Sequence, residues 1–155
     1  MSQPESSRAA RNTLAAQRRK ARHYAMQALY QWHMADASPT DIEGEFREEY
    51  DFGHVDLEYF QALLHGVPGN VDELEEVLLP LLDRTVEELD PVERTLLRMG
   101  VFELQHRLDV PYKVVISEAV ALTKKFGATD GHKYINGVLD KAARQLRKVE
   151  IDAAS

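Results

Sequence analysis

Two stretches of this 155-residue chain place aromatic rings among positive charges. In the first, Arg19, His23, Gln27 and Tyr30 recur at i, i+4, i+8 and i+11, so they share one side of a helix. Arg18, Lys20 and Arg22 flank that side. Cations neutralise phosphates, and an outward ring offers a stacking platform for an unstacked base. In the second stretch, Tyr134 lies about 100° from the centre of its helix's apolar stripe, beside Gly137 and Lys141, with Lys133 and Arg144 facing outward. This is the chemistry of single-stranded nucleic-acid binding. Each stretch also has a plainer explanation. The first is then a solvated basic face, and the second a half-buried tyrosine whose hydroxyl reaches water.

Catalytic patterns are missing. The absence of cysteine excludes disulfides, thiolate metal sites and a cysteine nucleophile. There is no G-x-S-x-G, Walker A loop, G-x-G-x-x-G or H-E-x-x-H. Histidines 23, 33, 54, 65, 106 and 132 show no metal-ligand spacing. Neighbouring carboxylates such as Glu75/Glu76 and Glu87/Glu88 point about 100° apart on a helix and do not converge. No cofactor, metal or enzymatic activity is expected.

The net charge of −7 is unevenly distributed. Residues 1–33 carry six Lys/Arg against one acid, residues 34–110 five against 20, and residues 111–155 eight against five. Basic ends suit an anionic ligand, and an acidic middle suits a basic partner or is simply a solvated surface. The longest runs free of Asp, Glu, Lys and Arg are His23–Ala35 and Tyr59–Val71, 13 residues each. Neither would span a bilayer. With no secretory signal in MSQPESSRAARNT and no cysteine, the reading is a cytoplasmic protein.

Every long apolar pattern has the helical period, so the fold is expected to be all-α, with about seven helices. Residues 1–15 read as a disordered basic tail. The first helix runs over about 16–35, burying Ala21, Ala25, Ala28, Leu29 and Trp32. Thr40 can cap a short acidic helix with Ile42 and Phe46 inward. Asp56 starts a third, which Gly66-Val67-Pro68-Gly69 should kink or break. Helical period resumes over 71–82, followed by a turn at 85–90. Pro91, behind Asp90, opens a helix apolar around most of its girth, the buried centre of a bundle. Glu93, Arg94 and Arg98 are its outward charges. Pro111 opens the next helix, with Val115, Ala119, Leu122 and Phe126 as its stripe and Gly127 as its stop. Thr129 or Asp130 can cap the last helix, whose stripe is Ile135, Val138, Leu139, Ala142 and Leu146. Residues 148–155 should fray.

These residues carry a resemblance. VPYKVVISEAVALTKKFGATDGHKYINGVLDKAAR looks like the C-terminal signature of the NusB family of bacterial transcription antitermination factors. RRKARHYAMQALYQW resembles that family's basic helix, and ELDPVERTLLRMGVFEL its central helix. The resemblance implies two perpendicular helical sub-bundles, here 16–75 and 76–147, and no enzymatic activity. It implies binding of boxA RNA together with the small-subunit ribosomal protein NusE, as part of an antitermination complex on RNA polymerase. By position, Arg18, Arg19, Lys20, Arg22, Gln27 and Tyr30 match the RNA-binding side, joined by Lys133, Tyr134 and Asn136. Glu93, Arg94 and Asp130 match positions near the NusE side. The family includes monomers and dimers, so a homodimer is a further partner to test. Position 134 is often Phe in relatives, and Pro68 falls where the family has helix. Two alternatives stand beside this reading: an RNA-binding module related to ribosomal RNA methyltransferases, and a helical adaptor that binds only protein.

Overall fold

The computed structural model describes residues 4–128 and 130–154; the first three residues of the expected tail, Thr129 and Ser155 lie outside the described residues. Among the described residues all regular structure is helical, in eight α-helices and two single 3-10 turns. The chain divides into two compact units, 1–65 and 66–155. The division implied by the family resemblance lies ten residues later, at 75/76.

In the first unit, α1 spans Pro4–Ala35. It starts twelve residues before the expected helix, so residues 4–15 are helical and not the irregular tail that their low apolar content suggested. Ala9, Ala10, Ala15 and Ala16 explain the difference, because alanine has the highest helix propensity. Ala21, Ala25, Ala28 and Leu29 are buried as the stripe predicted, and Trp32 is half-buried. Asp36, at φ 56°, ends the helix in the left-handed region. α2 spans Pro39–Glu49 and is capped by Ser38, whose hydroxyl accepts from Asp41 N at 3.1 Å. Ser38 takes the cap in place of Thr40 because Pro39 already suits the first helical position. α3 spans Leu57–Gly69, and Asp56 caps it by accepting from Tyr59 N at 3.1 Å. Ile42, Phe46, Tyr59, Phe60, Leu63 and Leu64 complete this unit's core. Each such side chain contributes about 1.5–3 kcal/mol on burial.

Pro68 does not stop α3 at once. The helix ends one residue later, at Gly69, and Asn70 then leads into α4, Val71–Leu78. The helical period read over 71–82 therefore covers α4 and a 3-10 turn at Leu79–Leu81, tightened where Pro80 lacks its N–H. Thr85 and Glu88 form a capping box around a second 3-10 turn, Val86–Glu88. α5, Pro91–His106, is buried on most sides, as its sequence predicted. It packs against α4, against α6 (Tyr112–Phe126) and against α7 (Gly131–Leu146). Two glycines permit these approaches. A Cβ on Gly100 would lie 2.7 Å from Leu139, and one on Gly66 would collide with the Phe102 ring.

The C-terminus departs from expectation. Residues predicted to fray form α8, Lys148–Ala153. Arg147, at its entrance, is buried and donates to the carbonyls of Leu104 and Val110 (2.8 Å each), Arg107 (2.9 Å) and Glu103 (3.2 Å). It also pairs with Glu150 at 2.6 Å, and Glu150 in turn accepts from Tyr112 N at 3.0 Å. Burial pushes the Glu150 carboxyl up, but these two donors outweigh it and hold its pKa below the usual range.

Candidate nucleic-acid interface

In the first unit the basic part of α1 separates into two kinds of cation. Arg22 is buried, its Nη2 donating to the Tyr59 hydroxyl at 3.3 Å, its guanidinium carbon 5.0 Å from the ring centroid. Arg18 pairs with Asp56 at 3.3 Å and lies 4.7 Å from the same centroid. The Tyr59 ring, itself fully buried, is therefore gripped by two guanidinium groups, which face its negative π surface. Asp56 ties the grip together, since its N–H also donates to Gln17 O at 3.1 Å. Tyr59 and Asp56 were not legible as partners of the basic cluster, because 37 or more residues separate them from it.

Arg19 and Lys20 are exposed, and Gln27 and Tyr30 are half-buried on α1. Lys20 borders a shallow hollow of about 370 Å³ with Asn12, Gln17 and His54. Of the four α1 cations matched to the RNA side, two thus point outward and two brace the fold.

In the second unit Lys133 and Asn136 are exposed on α7. Asn136 borders a hollow of about 290 Å³ with Tyr112, Lys113, Ser117 and Asp140. Tyr134 is half-buried, but its hydroxyl departs from the plainer reading of its sequence. Its hydroxyl is enclosed beside Asp83, without a well-formed hydrogen bond, and does not reach water. Burial raises its pKa. Its ring is covered by Arg84, 4.3 Å from the centroid. Arg84 is held from behind by Asp83 at 2.7 Å. A base stacking on that face of Tyr134 must displace Arg84 or stack upon it. Arg84 sits in a 3-10-rich connection without periodicity, and nothing in its local sequence pointed to Tyr134.

The residues matched to the partner side are also held differently from one another. Glu93 is buried, with its carboxylate facing the start of α7: a Cβ on Gly131 would lie 3.0 Å from Glu93 Oε1. Burial raises the Glu93 pKa, nearby Asp90 adds to the rise, and Arg84 opposes it. Arg94 forms a two-pronged pair with Glu75, its Nε and Nη2 each donating at 3.2 Å, and buried Arg98 reaches the same carboxylate at 3.3 Å. Asp130 is exposed at φ 68° and does not cap α7 with its side chain. It pairs instead with Lys133 at 3.6 Å.

Among the described residues no group of three or more His, Asp or Glu could hold a metal, and no helix is long and apolar enough to cross a membrane.

Residues 19–144 match the NusB family. The chain belongs to the NusB family. A transcription antitermination protein NusB of Pseudomonas fluorescens is 51% identical over 150 residues, covering 97% of this chain and 90% of that protein. The NusB of Alcanivorax borkumensis is 59% identical over 133 residues, covering 86% and 89%. A crystal structure of the antitermination factors NusB and NusE in complex with dsRNA superposes with a TM-score of 0.72, at 28% identity, over 83% of this chain and 96% of that one. The NusB match begins inside α1, after its first fifteen residues.

Proposed function

We propose that this protein is a cytoplasmic transcription antitermination factor. It binds boxA RNA of ribosomal RNA operon leaders together with NusE, and helps RNA polymerase resist termination without catalysing a reaction. The observation that carries the proposal is membership of the NusB family, with relatives named transcription antitermination proteins at 51% and 59% identity. A related fold in complex with NusE and dsRNA supports both partners.

In this reading Arg19, Lys20, Gln27 and Tyr30 contact RNA directly, and so do Lys133 and Asn136. Arg18 and Arg22 act as positioning residues through Tyr59. Tyr134 offers its ring once Arg84 moves or joins the stack. Glu93 and Asp130 face the protein partner, and Arg94 supports them through Glu75.

The test is a titration of single-stranded boxA RNA with and without NusE at several salt concentrations. About three to five phosphate contacts give a slope of log affinity on log salt of roughly −2 to −3.5. RNA affinity should be weak for the chain alone, because its acidic middle repels phosphate, and should rise with NusE. Tyr30→Ala should cost about 1–3 kcal/mol of RNA binding with the fold intact. Salt-independent binding would overturn the proposal.

A further inference from the structure

We infer that the N-terminal part of α1 is a second contact for the RNA backbone, made by Arg8 and Arg11. The inference rests on the RNA-binding reading above and extends it to residues before the NusB match, which begins at position 19.

The first observation is that these residues are helical and continuous with the basic helix. At about 100° per residue, Arg8, Arg11, Arg18, Arg19 and Arg22 fall within an arc of roughly 100°. The arginines before the family match thus continue the same face. At about 1.5 Å per residue, the stripe runs roughly 21 Å from Arg8 to Arg22.

The second observation is where the charges are spent. At the C-terminal end of the stripe Arg18 and Arg22 grip Tyr59. At its N-terminal end every residue from Arg8 to Ala16 is exposed. Arg8 and Arg11 are therefore the two exposed arginines of the stripe that precede the family match. Glu5 is the only acid in α1.

The third observation is the chemistry of the exposed stripe. Single-stranded RNA fits better than an acidic protein surface, because the exposed stripe offers spaced point charges and only one large apolar side chain, Leu14.

The experiment compares three variants of the full chain in complex with NusE, on single-stranded RNA that extends beyond boxA on both sides. Arg8→Gln with Arg11→Gln removes the two charges and keeps helix propensity. Arg19→Gln with Lys20→Gln removes the exposed charges inside the family match. Ala10→Pro keeps every charge and breaks the extension. The first variant should reduce the magnitude of the salt slope by about 1.4, twice the ~0.7 expected per phosphate on a single strand. Ala10→Pro should lose a similar part of the affinity. Affinity for NusE should be unchanged in both.

If Arg8 and Arg11 can be neutralised without effect while the Arg19/Lys20 variant weakens binding, the inference fails and the RNA-binding reading stands. If neither pair matters, both fail. Full affinity in Ala10→Pro overturns the helical stripe. A loss of NusE affinity in place of RNA affinity would assign the extension to a protein partner and overturn the inference.

Discussion

At the residue scale, the basic cluster shows that a charge's role depends on its register, not only on its sign. Arg19 and Arg22 are three positions apart, yet one is exposed and the other is buried over Tyr59. Arg22→Ala would leave the buried Tyr59 hydroxyl without its donor and the ring with one cation, Arg18, in place of two. It should lower stability by about 2 kcal/mol in thermal unfolding, whereas Arg19→Ala should stay within about 0.5 kcal/mol. Loss of RNA binding in an Arg22 variant would therefore report on the fold first. Glu93 illustrates the opposite sign. Its raised pKa means the folded state holds its proton more tightly than the unfolded chain does. The stability it contributes is present below the unfolded pKa, near 4.3, and is lost as pH rises through the folded value. At neutral pH the buried charge is a cost. Glu93→Gln should raise the melting temperature at pH 7 and narrow the gain on going to pH 4, which a thermal series over pH would read. Glu43 behaves conversely. Burial pushes it up, but hydrogen bonds from His65, Gln61 and Arg47 outweigh that, so its contribution is lost as pH falls through its lowered pKa.

At the element scale, the segment after α7 is a fastening. Arg147 collects four carbonyls from the end of α5 and the turn after it, two of which, those of Glu103 and Arg107, also accept from the N–H groups of Arg107 and Val110. Arg147→Ala removes a buried donor from all four and should cost about 3 kcal/mol in denaturant unfolding. Arg147→Lys should recover little, since an ammonium has three donors and no planar fork. The helices themselves were legible because amphipathic period, Pro at α5's first turn and Gly after α6 are local signals. α5 read as the buried centre from its girth alone. What escaped was of two kinds. Residues 4–15 carry no sustained apolar period and 148–153 are too short to show one, and a pattern that relies on buried stripes passes over helices held by propensity or by one arginine. The partners of Arg22 and Arg94, the carbonyls that Arg147 binds and the Arg84 that covers Tyr134 lie 19 to 50 residues away in sequence, so no window could join them.

At the scale of the whole molecule, charge is sorted along the chain: both ends are basic and the middle is acidic. Such sorting governs encounter more than final affinity. Association with a basic partner such as NusE should slow as salt rises, while its dissociation rate changes little. Stopped-flow mixing at several ionic strengths would separate the two, and an association rate indifferent to salt would count against acidic docking. RNA binding should weaken over the same range through displaced counterions.

The backbone of Asp130 carries a warning for mutational scanning. This residue turns the chain into α7 at φ 68°, where aspartate and asparagine are tolerated and most other side chains are strained by about 1–2 kcal/mol. Alanine is thus a poor probe there, since it removes a charge and distorts a turn together. Asp130→Asn changes only the charge, and Asp130→Gly keeps the turn while deleting the side chain. A defect shared by Asn and Gly would belong to the carboxylate. A defect found in Ala alone would belong to the bend.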